Sequence, residues 1–165
     1  MHSDNVEIER KFLIHGVSWD NFEKPIPIKI IQGYAHHDPD ITVRIRLEFP
    51  DKAFLTFKGK RKGISTPEFE FEIPFEKGSS MIDLFCKKDK LIVKNRYILD
   101  YNFIVDVFEG RNEGLIIAEV ELENERQRYH EYEFLGKEVT NDKRYTNVNL
   151  SEYPYVEWKS NLSFE

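Results

Sequence analysis

Charged residues recur at every second position in several short stretches of this chain. Glu7, Glu9 and Lys11 form one such row, Arg44 with Arg46 a second, and Glu68, Glu70 and Glu72 a third. Lys94 with Arg96 and Glu119 with Glu121 follow, while Lys58 shares its parity with Thr56 and Asp106 stands between Val105 and Val107. In an extended chain, residues two apart point to the same side, so each group is a charged row on one face of a strand. The other face is apolar: Val6, Ile8 and Phe12 in the first stretch, Val43, Ile45 and Leu47 in the second, Phe69, Phe71 and Ile73 in the third. A half-wet antiparallel sheet would simply place such rows in water. Like charges this close repel, however, and an ordinary wet face mixes signs, so each same-sign group calls for a neutralising partner. Carboxylates at this spacing supply hard oxygen ligands for Mg²⁺ or Mn²⁺, and the Arg and Lys groups suit phosphate oxygens. Together they describe a site for a polyphosphate and its metal. Its basic members are Lys11, Arg44, Arg46, Lys58, Lys94 and Arg96; its acidic members are Glu7, Glu9, Glu68, Glu70, Glu72, Asp106, Glu119 and Glu121.

The elements that must position these rows are mostly strands. Alternation of aromatic or β-branched residues with polar ones predicts strands over residues 6–14, 28–34, 41–48, 53–60, 68–74, 91–99, 103–109 and 115–123. Short turn-like segments such as His37-Asp38-Pro39-Asp40 and Pro50-Asp51-Lys52 join several of them, as antiparallel hairpins require. Ser18 is a candidate cap for a short helix through Trp19 and Phe22, and Ser79 or Ser80 for another through Met81 to Phe85. The last forty residues are less periodic, with short helices expected over 132–139 and 145–153. Eight strands in one small domain suit a sandwich or a closed barrel, and the charge rows favour the barrel. With apolar faces outward against helices and charged faces inward, the barrel encloses a polar, hydrated lumen. The expected fold is therefore α+β and mainly β: an eight-stranded antiparallel closed barrel with a charged interior and a few flanking helices, one domain over 1–165.

Bulk composition narrows the function further. The 165 residues carry 24 Lys plus Arg against 30 Asp plus Glu, a net charge of −6 that argues against a nonspecific nucleic-acid binder. The single cysteine, Cys86, excludes an intramolecular disulfide and is read as an inert, half-buried thiol in a helix, consistent with a reducing cytoplasm. No apolar stretch resembles a signal peptide or membrane span, so a soluble protein without a membrane partner is expected. No G-x-x-x-x-G-K-[ST] or G-x-G-x-x-G loop occurs, which leaves side chains to hold phosphate. His36 and His37 read as loop residues, and His130-Glu131 lacks the second histidine of a zinc protease motif.

Glu7-Ile8-Glu9-Arg10-Lys11 resembles the E-x-E-x-K signature of the CYTH domain, the triphosphate tunnel metalloenzyme superfamily. Gln32-Gly33-Tyr34, Val43-Arg44-Ile45-Arg46, Leu55-Thr56-Phe57-Lys58-Gly59, Glu68 to Pro74, Lys94-Asn95-Arg96-Tyr97, Val105 to Phe108 and Ala118 to Leu122 are similar to that family's motifs and fall in its order. The ending Leu135 to Thr140, with Tyr145 and Asn149, resembles small bacterial members. Two departures stand out: Ser65-Thr66-Pro67 where an Arg is common, and Ile104 where a Trp is common. The resemblance implies a barrel binding a linear triphosphate with divalent cations, Mg²⁺ or Mn²⁺. It implies Glu7, Glu9, Glu119, Glu121 and Asp106 as metal ligands, and Lys11, Arg44, Arg46, Lys58, Lys94 and Arg96 as a phosphate clamp. Glu68, Glu70 and Glu72 correspond to the family's acidic strand. Lys11 near Tyr34 is a candidate proton acceptor, though more simply another phosphate contact. The expected activity is metal-dependent hydrolysis of inorganic triphosphate by a monomer or homodimer. Nucleoside triphosphate hydrolysis or cyclisation, thiamine triphosphate hydrolysis and noncatalytic polyphosphate capture are the alternatives.

Overall fold

Each expected strand is present, and the register between strands shows why the charge rows converge. The computed structural model describes residues 5–162, so the ends of the expected domain lie outside the described residues. The strands are β1 (Val6–Ile14), β2 (Ile28–His37), β3 (Thr42–Glu48), β4 (Lys52–Lys58), β5 (Ser65–Pro74), β6 (Ile92–Ile98), β7 (Phe103–Phe108) and β8 (Ile116–Glu121). They pair in the order β5-β4-β3-β2-β6-β7-β8-β1, and β1 closes onto β5 through Val6–Ile8. Every pairing is antiparallel. The result is the expected closed barrel.

A ninth strand, β9 (Leu135–Glu138), lies where a short helix is expected over 132–139. The reason is an uncovered edge. β5 leaves β1 after Ile8, so the edge of β1 around Phe12 and Ile14 needs another partner, and β9 supplies it. Gly136 permits the approach, because a Cβ there would stand 3.0 Å from the Leu13 carbonyl oxygen. The helix starts also differ from expectation. Helix α1 (Gly16–Asp20) is capped at His15, whose carbonyl accepts from the Trp19 amide, so Ser18 sits inside it. Helix α2 (Phe75–Phe85) follows β5 without a break, its first turn fixed by Pro74 at the cap, which leaves Ser79 and Ser80 in mid-helix. Helix α3 (Asn147–Glu152) falls within the expected 145–153, and α4 (Tyr155–Trp158) lies just beyond it.

Three apolar clusters hold the barrel, two outside and one within it. Phe12, Phe103, Val105, Ala118 and Val120 face outward and pack beneath Trp19 of α1 and Phe134. Ile45, Leu47 and Ala53 face outward beneath Ile82 of α2. The third cluster has the parity of the charged rows: Ile92, Phe108 and Ile117, with Leu13, point inward and meet Val139, Tyr145, Leu150 and Trp158 from the C-terminal segment. One part of the interior is thus apolar and plugged, and the charged rows occupy the remainder. Helix α2 covers the outer face of β4 and β5 only around Ala53, Leu55 and Ile73, so Phe57, Phe69 and Phe71 farther along that face remain exposed, contrary to the expectation that the apolar faces lie against helices. Among the described residues no helix is long and apolar enough to cross a membrane.

Close seating of α2 on the barrel depends on Gly78, where a Cβ would stand 2.6 Å from the Ala53 Cβ and 3.0 Å from Leu47. Gly78→Val is expected to lower the unfolding free energy by about 1–3 kcal/mol through overpacking, measurable by urea denaturation. An unchanged midpoint would show that α2 is not held at that distance.

Candidate active site

Cross-strand register brings the charge rows into contact inside the barrel. Lys11 lies opposite Glu119, Lys58 opposite Glu68, Arg96 opposite Asp106, and Arg44 opposite Thr56, which itself lies opposite Glu70. Ion pairs follow these registers. The Lys11 ammonium is 2.7 Å from Glu119 and 3.0 Å from Glu9. Lys58 is 2.5 Å from Glu7 and 2.9 Å from Glu68. Arg44 and Arg46 divide Glu70 between them at 3.1 and 3.2 Å, and the Thr56 hydroxyl donates to the same carboxylate at 2.7 Å. These residues surround an inner chamber of about 250 Å³, which Arg96, Glu121 and Asn147 also line. An outer chamber of about 890 Å³ opens from it, sharing Glu7, Glu9, Lys11, Arg44, Lys58 and Asn147 and adding Tyr34 and the rim residues Lys60, Arg61 and Lys143.

Electrostatics follow from crowding. For Lys11, burial alone would lower the ammonium pKa, but Glu119 and Glu9 outweigh burial and raise it, so the side chain keeps its proton. Burial pushes the Tyr34 phenol up against the opposing pull of Arg44, Lys58 and Lys11. Burial would raise the Glu70 carboxyl, yet Arg46, the Thr56 hydroxyl and Arg44 bring it below its usual range. Glu121 behaves differently. It lies directly opposite Glu9, has no ion-pair partner among the described residues, and is pushed up by burial and then by Glu7, Glu68 and Glu9. A carboxylate crowded by three others, with only the weaker opposing pull of Lys58 and no ion pair, is where an added cation gains most.

Not every expected site residue reaches the lumen surface. Asp106 is 1% exposed, and both its oxygens are taken: Oδ1 accepts from Arg96 Nε at 2.8 Å, and Oδ2 from Lys94 at 2.6 Å and the second Arg96 nitrogen at 2.9 Å. To act as the expected metal ligand it would have to give up part of this buried pairing with Lys94 and Arg96. Lys94 is equally buried and lines neither chamber, and Glu72 lies toward the exposed end of β5, opposite Phe54. The remaining expected residues converge. Among the described residues no three carboxylates already stand as a ready cage for one ion, because Glu7, Glu9 and Glu119 are engaged by lysines. The donor set itself is all oxygen, without His or Cys, and suits a hard cation whose other ligands are water and phosphate.

Residues not singled out from sequence also take part. Glu48, on the same face as Arg46, pairs with its Nε at 3.0 Å, and strand parity alone would have marked it. Gln32, named from sequence only as part of the Gln32-Gly33-Tyr34 motif and given no role there, is 1% exposed, donates to the Tyr34 hydroxyl at 3.4 Å and is on the same face of β2. Asn147, which accepts from Lys94 at 3.0 Å, comes from α3 and carries no periodic signal. Cys86 closes α2, buried against the sheet, with its thiol pushed up by burial, as an inert cysteine should be.

A closed antiparallel barrel with opposed acidic and basic rows around a central chamber offers basic contacts to a polyanion and oxygen donors to a cation. The CYTH domain model matches residues 5–152, and the chain belongs to that family. It is similar to an inorganic triphosphatase of Acetivibrio thermocellus, with 40% identity over 93% of this chain and 97% of the relative. An inorganic triphosphatase of Nitrosomonas europaea is 32% identical over 88% of this chain and 96% of the relative. Among solved structures, that of an inorganic triphosphatase superposes with a TM-score of 0.57 at 30% identity, covering 88% of this chain and 93% of that one.

Loss of one member of a buried pair leaves the other charge uncompensated, so Asp106→Ala is expected to cost about 3–5 kcal/mol of stability at neutral pH. Burial would raise the Asp106 carboxyl, but Arg96 and Lys94 hold it far below the usual range. Its folded pKa thus lies below its unfolded value of about 3.9. The stabilisation is therefore complete above that pH and is lost as pH falls toward the folded value. Urea unfolding from pH 7 down to pH 3 should show wild type losing stability faster than Asp106→Ala, so that the gap between them narrows. Parallel curves would place the acid sensitivity elsewhere.

Proposed function

We propose that this protein hydrolyses inorganic triphosphate to pyrophosphate and phosphate within the barrel, with Mg²⁺ or Mn²⁺ as its cofactor. The observation that carries the reading is the inner chamber, where Lys11, Arg44, Arg46, Lys58 and Arg96 face a carboxylate set that includes the unpaired Glu121. Glu7, Glu9, Glu119 and Glu121 would hold the cation, whose chemistry when bound is to neutralise phosphate charge and lower the pKa of a coordinated water. Lys11 and Lys58 would exchange their carboxylate partners for phosphate oxygens, and the three arginines would fix the chain by paired N–H donors. Exchange of one anion for another leaves each buried cation neutralised, so binding avoids the cost of an exposed charge in a dry site. Positioning and charge stabilisation then supply most of the rate.

Proton transfer needs little from the side chains. Lys11 holds its proton because Glu119 and Glu9 outweigh burial, and the Tyr34 hydroxyl holds its own because of burial. Both serve as donors to phosphate, and the reading of Lys11 as a phosphate contact is preferred to that of a base. The outer chamber has room for more than a triphosphate, which makes ATP the informative comparison substrate.

Purified protein given tripolyphosphate, ATP or thiamine triphosphate with Mg²⁺ or Mn²⁺ is expected to release pyrophosphate and phosphate from tripolyphosphate most efficiently. Cyclic AMP from ATP, or tight tripolyphosphate binding with no turnover on any substrate, would overturn the reading. Glu9→Gln is expected to reduce metal-dependent kcat by about 100-fold, the scale of removing one electrostatic group from a reaction centre. Its urea midpoint should stay close to wild type, because Lys11 retains Glu119. Full activity in Glu9→Gln would remove it from the metal set.

A further inference from the structure

Lys94 differs from the other basic residues of the clamp rows. It is 1% exposed, lines neither chamber, and spends its ammonium on Asp106 Oδ2 at 2.6 Å and Asn147 Oδ1 at 3.0 Å, with the Phe108 ring 5.4 Å away. It stands at the border where the charged interior meets the apolar plug. The residue between Lys94 and the lumen is Asn147, which lines both chambers.

The orientation of the Asn147 amide is fixed by chemistry. An ammonium has only donors, so the atom of Asn147 that meets Lys94 must be the amide oxygen. The amide nitrogen is then directed away from Lys94, and Nδ2 has no acceptor among the described residues. Its two N–H groups are on a side chain that borders the passage between the chambers, beside Lys11, Arg44 and Lys58. Donors without a protein acceptor, placed among cations in a tunnel, suit an anionic oxygen.

We propose that Asn147 contacts the substrate, donating from Nδ2 to a phosphate oxygen where the two chambers meet, and that Lys94 is a positioning residue acting through it. This assignment rests on the triphosphatase reading above. It gives the C-terminal segment a direct part in substrate recognition, since Asn147 begins α3, and α3 is anchored in the plug by Leu150. Lys94 holds the amide in one of its two orientations, the one that offers donors to an anion.

Two substitutions separate this role from a structural one. Asn147→Asp keeps the oxygen that Lys94 bonds and replaces the lumen donor with a negatively charged acceptor. Asn147→Ala removes both. If Asn147 donates to phosphate, Asn147→Ala should lower kcat/KM for tripolyphosphate by about 10- to 100-fold, the worth of one hydrogen bond to a charged group. Asn147→Asp should lower it further, while its melting temperature equals or exceeds that of wild type. Tripolyphosphate affinity without divalent cation, measured by titration calorimetry, should fall in the same order, which separates phosphate contact from any effect on metal. A purely structural residue gives the reverse order, with Asn147→Asp close to wild type in activity and affinity and Asn147→Ala impaired in both and in melting temperature. That result would overturn the assignment while leaving the triphosphatase reading in place. A wild-type protein that neither binds nor cleaves tripolyphosphate would overturn both.

Discussion

Charge neutralisation inside a closed barrel is the constraint on which the rest of this structure depends. Taking an ion out of water costs several kcal/mol even after relaxation, so lumen cations and anions are tolerated only when matched. The antiparallel register performs the matching, placing Lys11 against Glu119, Lys58 against Glu68 and Arg96 against Asp106. The ion pairs cross from strand to strand, with Lys58 reaching Glu7 of β1 as well as Glu68 of β5 at the seam where the barrel closes. The same pairs that make the interior tolerable thus also bear on closure. The exception is Glu9 opposite Glu121, where two carboxylates meet and Glu121 lacks a cation. That local excess of negative charge lines one chamber with Lys11 and Lys58, and under the proposed function it is where the cation that accompanies triphosphate binds.

Division of the interior explains how so charged a lumen coexists with a stable core. Leu13, Ile92, Phe108 and Ile117 keep the inward parity but join the C-terminal helices in an apolar plug. Asp106, Lys94 and Arg96 form the boundary layer, with both aspartate oxygens paired and the aspartate and lysine closed to solvent. Beyond them the ion pairs are partly open to water at the carboxylates of Glu7, Glu9 and Glu70. Buried pairs at the floor and partly accessible pairs in the chamber suit a preorganised binding site.

Strand parity made much of this legible in the sequence. The rows Glu7-Glu9-Lys11, Arg44-Arg46, Glu68-Glu70 and Glu119-Glu121 could be placed on one face because a strand has a fixed period of two. The partner of each charge could not be read, since register between distant strands is set by long-range pairing. Asp106 therefore looked like a metal ligand, and only its position opposite Arg96 and beside Lys94 shows that its oxygens are spent. β9 was illegible for another reason: Leu135-Gly136-Lys137-Glu138 is short and carries no alternation, and it is a strand because β1 needs an edge partner. Asn147 lies outside any periodic pattern and reaches the site only through the docking of α3.

In the proposed reaction, lumen lysines trade carboxylates for phosphate while the released glutamates take the cation. A crystal structure with tripolyphosphate and Mn²⁺, the metal located by anomalous scattering, tests this most directly. The account predicts Lys11 and Lys58 within hydrogen-bond distance of phosphate oxygens and Mn²⁺ on glutamate oxygens from β1 and β8. Tripolyphosphate bound outside the barrel, with the Lys11–Glu119 and Lys58–Glu7 pairs intact, would contradict it.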